Sequence, residues 1–343
     1  MSGEGDGRRR TGAGWRLALR LGVTGGLLAV LLAKAPEPGE LLPDGHLDTL
    51  LLIGAAIATT LLGVVLAAWR WQRTLLLFDV DLPLLTLTRH YLAGMFVGNV
   101  LPSTIGGDVV RVTRVGAIAG SPSDVFGSVA VERLTGFVAL PVLVITGMAI
   151  NPAVLGARHT WVPILVAGAT LALLALVLIA AAHPRLAGRF ADRDNWVRYL
   201  GAVHRGVDRL RRHPDRIVPV VGTAIIYQCS VVAVYGLIFR ALGIPVATGA
   251  LLVYAPAVLM LQVLPISLAG LGVREGALVL LLHDTLSRHG LPDSRAVAAG
   301  LLWYACTLVV SMLGAPAFAL GHRHRTVPEA DAHAAVPPSE SRP

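Results

Sequence analysis

Long apolar stretches, separated by short polar ones, run along almost the whole chain. A stretch such as Leu47 to Trp69, L-D-T-L-L-L-I-G-A-A-I-A-T-T-L-L-G-V-V-L-A-A-W, carries one charge in 23 positions. A membrane-crossing helix needs about 20 mostly apolar residues, whereas a barrel strand alternates over ~10. The pattern therefore predicts an all-α polytopic membrane protein. Six full spans are expected, at Leu17–Ala33, Leu47–Trp69, Val125–Ile150, Trp161–Ala182, Ile217–Leu242 and Ala296–Leu320. Two further regions, Leu84–Ala119 and Gly249–Leu286, are equally apolar but interrupted by proline, glycine and charge. Each is expected to be a broken or re-entrant helical hairpin, so the total can be counted as eight spans. Flanking them are a tail at 1–16 and a polar, period-free tail at 322–343 that is expected to be disordered, with one transmembrane domain, 17–321, between.

Composition agrees: 55% of residues are hydrophobic and 15% charged, against about 25% charged in a soluble domain. The net charge of +8 does not predict nucleic-acid binding, because the basic residues cluster in loops beside apolar runs. Eight arginines fall between His183 and Asp215, others at Arg8–Arg10, Arg323 and Arg325, whereas 36–46 holds Glu37, Glu40, Asp44 and no arginine. The positive-inside rule then puts both termini in the cytoplasm, in a multi-pass protein of the cytoplasmic membrane. The arginine-rich segment 183–216 is expected to lie as an amphipathic helix on an anionic leaflet. The N-terminus resembles a signal peptide, but Pro36 directly after A-K-A argues for an uncleaved first span. Cys229 and Cys306 both fall within predicted spans, with no metal spacing, and no cofactor is expected.

The first interruption, Asn99 to Arg111, reads N-V-L-P-S-T-I-G-G-D-V-V-R, and the second, Gln262 to Arg274, reads Q-V-L-P-I-S-L-A-G-L-G-V-R. Aligned without gaps, six of thirteen positions are identical, including Pro102 with Pro265, Gly107 with Gly270 and Arg111 with Arg274. Two readings are open: coincidence in an apolar, glycine-rich chain, or an inverted internal repeat. Three spans separate the copies, so a repeat would enter from opposite faces, the arrangement that points to a transporter site near the midplane.

The residue types suit an anionic ligand. Pro102 and Pro265 break the helix. Gly106, Gly107 and Gly270 let the chain turn or a ligand approach, with Ser103 and Ser267 supplying hydroxyls. The next half-helix begins with unpaired N–H groups. Arg111 and Arg274 can each hold a phosphate through two parallel hydrogen bonds. Asp108, Glu132, Arg133 and Glu275 accompany them. For these charges too, two readings are open: structural ion pairs, or groups that meet substrate, since ionisable residues inside membrane segments are costly and usually functional. Glu132 and Arg133, adjacent on a helix, point about 100° apart, so each is expected to meet something from the broken segments. Tyr227, Gln228 and Ser230 are expected to bond between helices. Tyr91, Trp69, Trp71, Trp161 and Trp303 are expected at the interfaces.

Three motifs, L-P-S-T-I-G-G-D-V-V-R (Leu101 to Arg111), S-V-A-V-E-R-L-T-G (Ser128 to Gly136) and L-P-I-S-L-A-G-L-G-V-R-E-G-A (Leu264 to Ala277), resemble the lysylphosphatidylglycerol synthase transmembrane family. This is the flippase-like membrane region of the bacterial multiple peptide resistance factor and its stand-alone relatives. The resemblance implies a helical membrane protein that moves, or helps move, a lipid with an anionic or zwitterionic headgroup, aminoacylated or polyprenyl-phosphate-linked. The positions that match the family motifs are Pro102, Ser103, Gly106, Gly107, Asp108, Arg111, Glu132, Arg133, Pro265, Ser267, Gly270, Gly272, Arg274 and Glu275; among them Pro102 and Pro265 are expected to break the helices, and the others except Gly272 are the candidate substrate-binding residues. The chain ends shortly after its last span, so no aminoacyltransferase domain, and no enzymatic activity, is expected. The alternative is a membrane enzyme, or an accessory subunit of a lipid-linked sugar or aminoacyl-lipid pathway. A synthase or glycosyltransferase is the corresponding partner.

Overall fold

A computed structural model describes residues 47–100, 106–182, 198–263 and 270–320. The predicted first span, both tails and the breaks themselves, with Pro102, Ser103, Pro265 and Ser267, lie outside the described residues.

The described chain is helical: α1 (Leu47–Leu75), α2 (Leu84–Val100), α3 (Gly106–Ala119), α4 (Pro122–Ile150), α5 (Trp161–Ala182), α6 (Arg198–Arg212), α7 (Pro214–Ala241), α8 (Thr248–Gln262), α9 (Val273–Arg288), α10 (Ser294–Met312) and α11 (Gly314–Leu320). Five of these, α1, α4, α5, α7 and α10, are long and apolar enough to cross a membrane. Their outer faces carry large exposed side chains, such as Leu173, Leu176 and Ile179 of α5 at 63–66% exposure, as a helix facing hydrocarbon should. One expectation needs correction. The last predicted span, Ala296–Leu320, is two helices that part at Leu313. Gly314 lies against the Leu92 carbonyl of α2 with no room for a side chain. The Arg114 guanidinium donates to the carbonyls of Ala317 and Phe318 at 3.0 and 2.7 Å, an end of a helix where positive charge is favoured.

α4 is the ruler of the fold. Its 29 residues span about 43 Å at ~1.5 Å each. It starts at Pro122, whose fixed φ suits a first helical position, and Pro141 is accommodated inside it. The first broken segment is a hairpin, α2 packed on α3, with its base at the N-terminal end of α4. There Gln72 Nε2 donates to the Leu82 carbonyl at 2.9 Å, and Gly116 of α3 abuts Pro122. The second hairpin, α8 and α9, has its base at the other end: Gly249 contacts Gly147 and Asn151, and Asp284 accepts the N–H of Arg158 at 3.0 Å. The loops beside it are pinned by Arg295, which donates to the Leu242 carbonyl at 2.9 Å. The main apolar core, including Tyr235, Val253, Val258, Leu278 and Leu282, wraps this second hairpin. A smaller one, around Trp71, Leu75, Leu87, Val115 and Val125, holds the first.

The arginine-rich helix α6 packs on α4. Ala202 is fully buried and Gly206 fits between Phe78 and Val131. Arg205 pairs with Asp124 at 2.7 Å, Arg209 with Asp79 at 2.9 Å, and Arg216 at the start of α7 donates to the Leu76 carbonyl at 3.1 Å. Its apolar face therefore meets protein, and Arg211 and Arg212 remain exposed at the bundle's end.

Within the first hairpin the helices touch backbone to backbone: a Cβ on Gly107 would lie 2.6 Å from the Gly94 oxygen, whereas one on Gly98 finds its nearest neighbour at 3.7 Å. Gly107→Ala is expected to destabilise the protein by about 1–3 kcal/mol through overpacking, and Gly98→Ala by less than ~0.5 kcal/mol. Unfolding midpoints of the two variants in detergent check this.

Candidate functional site

A little over a third of the way along α4, Glu132 is 1% exposed and is held by two arginines from different elements. Arg70 of α1 donates to Oε1 at 2.7 Å, and Arg111 of α3 binds Oε2. Each guanidinium also lies over aromatic faces. Arg111 sits between Trp71 and Tyr91, with its Cζ 4.1 and 4.3 Å from the ring centroids, and Arg70 lies 4.6 Å above Tyr227. The Nε atoms of Arg70 and Arg111 are buried without an acceptor, and the π faces are what compensates them.

The next residue of α4, Arg133, points elsewhere, as expected from the helix geometry. Its Nε donates to Asp108 Oδ2 of α3 at 2.6 Å, and its side chain is half exposed. The helix neighbours Asp108 and Arg111 are only loosely paired, at 3.4 Å. So Glu132 and Arg133 both meet the first hairpin, one inside the protein and one at a cavity wall.

That cavity, of about 260 Å³, is lined by this cluster, by Gly136 and Phe137, and by Gln262 and Val263 at the tip of the second hairpin. The two broken segments thus approach the same space from opposite ends of α4, near its midpoint. Tyr91, Tyr227, Val231 and Trp303 are shared with an adjoining, mostly apolar cavity of about 110 Å³. Three guanidiniums against two carboxylates leave the cluster with one excess positive charge.

Arg274 and Glu275 lie apart from it. The sequence placed Arg274 opposite Arg111 as a second phosphate ligand. Instead it is 1% exposed and paired with its neighbour Glu275 at 2.8 Å. Its guanidinium stacks 4.8 Å from the centroid of Trp303, whose ring also lines the cavity. Glu275 also accepts the N–H of Gly272 at 2.7 Å, so its carboxylate already occupies the donor end of α9. Gly270 and Gly272 have φ of 75° and 83°, left-handed values that glycine adopts without steric cost. Their role in the described chain is the turn into α9. Gly106 begins α3, and Gly107 serves the hairpin contact. Among the described residues no cluster of three His, Cys, Asp or Glu is placed to hold a metal.

Arg70 was missed by sequence because it reads as a flank of the second span. The helix continues five residues past it, and its W-R-W setting was the available signal. Tyr91, Trp71 and Trp303 are corrected from interfacial aromatics to walls of the charged cluster: Trp71 is fully buried, and its indole donates to Ser128 at 3.1 Å. Tyr227 and Gln228 likewise line the cavity.

Fold and site together define a multi-pass helical membrane protein with two hairpins around a charged cavity. The chain belongs to the lysylphosphatidylglycerol synthase TM region family, whose model matches residues 17–314, and this family places it among membrane proteins of lipid-related function. Searches of curated proteins and of solved structures found no match.

Removing one partner of a buried pair leaves an uncompensated charge. Glu132→Gln strands two guanidiniums and is expected to cost about 3–5 kcal/mol, whereas Asp108→Asn, acting on a half-exposed pair, is expected to cost about 0–1 kcal/mol. Thermal or denaturant unfolding in detergent measures the difference.

Proposed function

We propose that this protein is a lipid flippase, or a flippase-like transporter, that carries a charged-headgroup lipid across the cytoplasmic membrane. The observation that carries the reading is the cavity itself: two hairpins based at opposite ends of α4 flank one polar space at its midpoint. This supports reading the two V-L-P copies as an inverted repeat, whose halves expose a midplane site alternately to each side. The arginines at the Leu76–Asp79 end support a cytoplasmic orientation for that end. The first hairpin then enters from the cytoplasm and the second from outside, with both termini inside.

In this reading the headgroup phosphate takes Arg133 from Asp108, the exposed pair in the cluster, and Arg111 supplies the charge behind it. The excess positive charge favours an anionic group, and Asp108, once released, is available to an amine if the headgroup carries one. Acyl or prenyl chains follow the adjoining apolar cavity toward the bilayer. Arg274 and Glu275, closed together behind Trp303, act in the half of the cycle that faces the other side. Segment 183–216 adds contact with an anionic leaflet through its exposed arginines. A synthase or glycosyltransferase that supplies the lipid is the implied partner, and this chain itself makes no covalent change.

Proteoliposomes loaded with fluorescent phospholipids and polyprenyl phosphates test the reading. Arg133→Ala is expected to slow flipping about tenfold or more, equivalent to ~1.4 kcal/mol, and Arg158→Ala, at the far end of the bundle, to leave it unchanged. Flipping at the wild-type rate in an Arg111→Ala, Arg133→Ala double variant would sink the mechanism. A covalently altered lipid, seen by mass spectrometry, would favour an enzyme instead.

A further inference from the structure

A second charged cavity, of about 410 Å³, sits at the Leu76–Asp79 end of the bundle, between the last turn of α1 and the first turns of α7. It shares no lining residue with the central cavities. Its walls are Arg73, Leu76, Asp79, Asp81, Arg216 and Pro219, with Val220 behind.

The charges here are unevenly matched. Asp79 is taken by Arg209 at 2.9 Å. Arg216 gives one N–H to the Leu76 carbonyl and meets no carboxylate among the described residues. Arg73 lies against the Trp69 ring at 5.7 Å, and its Nε is buried with no acceptor. Asp81, also without a partner among the described residues, faces the same space. The cavity thus offers two guanidiniums lacking a counter-ion and one carboxylate lacking a cation.

Its surroundings fit a lipid better than a soluble ligand. Arg73 stands two residues from the end of α1, and Arg216 is the third residue of α7, the depth at which hydrocarbon gives way to headgroups. Ile217 and Val218, next in sequence, are 37% and 75% exposed on the outer face. Leu76, Pro219 and Val220 give the cavity an apolar floor.

We propose that this cavity binds the headgroup of a zwitterionic aminophospholipid from the surrounding leaflet. The phosphodiester sits on Arg73 and Arg216, two donors of the kind that grip phosphate oxygens, and the ammonium sits on Asp81. A headgroup such as phosphatidylglycerol satisfies the arginines through the same phosphodiester but brings neutral hydroxyls and no cation to Asp81, so the site discriminates by amine. The lipid is a resident of the α1–α7 seam, separate from the transported one.

Native mass spectrometry of the purified protein, equilibrated in mild detergent with equal phosphatidylethanolamine and phosphatidylglycerol, tests this. Wild type is expected to retain phosphatidylethanolamine severalfold over phosphatidylglycerol. Arg73→Gln is expected to lose most of the bound lipid of either kind. Asp81→Asn, a change at an exposed position, is expected to keep binding but bring the ratio of the two lipids to near one. That ratio is read on folded protein only, so lower yield of a variant does not blur it. Equal retention of both lipids by wild type, or phosphatidylethanolamine unaffected by Arg73→Gln, overturns the proposal. Displacement of the lipid by an equal concentration of water-soluble glycerophosphoethanolamine overturns its assignment to a membrane lipid.

Discussion

Glu132 is the fixed point of the molecule. A carboxylate within a membrane helix is tolerable only when its charge is answered, and here it is answered twice, from α1 and from the first hairpin. The pairing dictates where the hairpin goes. Arg111 is itself buried and cannot leave Glu132 without leaving its own charge unmet, while Glu132 would keep only Arg70. Trp71 and Tyr91 then close on Arg111, and the small core around Leu75, Leu87 and Val115 fills in behind. The polar cavity exists because this cluster takes only part of its charge inward and leaves Arg133 and Asp108 at the wall.

The second hairpin solves the same electrostatic problem differently. Arg274 and Glu275 are adjacent in sequence and neutralise each other locally, with the carboxylate also serving the first N–H groups of its helix. Two copies of one motif thus show two arrangements: one whose arginine reaches a distant helix and opens onto a cavity, one whose arginine is closed on its neighbour. Trp303 stands between them, with Arg274 against its ring and the cavity along its edge.

Much of this was legible in the chain. Trp161–Ala182 matches its helix to the residue, and Val125–Ile150 and Ile217–Leu242 match within a few residues, because runs of that length and apolarity admit few alternatives; Leu47–Trp69 has the right start but stops six residues short of the end of α1. The two interrupted regions were legible as hairpins because proline and paired glycines break helices for local reasons. That Glu132 and Arg133 would meet the broken segments followed from their 100° separation on one helix. What sequence could not supply was depth. Arg70 looked like a flank because nothing local shows that α1 runs on to Leu75. Tyr91 and Trp303 looked like interfacial anchors because nothing local distinguishes an aromatic residue at an interface from one turned inward until a cation is placed beside it. The division of α10 from α11 at Leu313 has a local signal in Gly314 and Pro316, whose missing N–H leaves the Met312 carbonyl without its helical donor; the close approach of the Leu92 carbonyl of α2 to Gly314 is the tertiary part that no local pattern shows.

The glycine contact in the first hairpin has a mechanical consequence. Gly94 and Gly107 meet main chain to main chain, so α2 and α3 lie as close as two helices can and no side chain separates them at this point. The pair has the form of a lever arm. Its fulcrum is at the base, where Asp79 and Gly120, with φ of 60° and 71°, make the bends on either side. Its far end carries Asp108 and Arg111. A few degrees of rotation about that base displaces the charged tip far more than it displaces the loops, which gives leverage to whatever acts on the arginine-rich end.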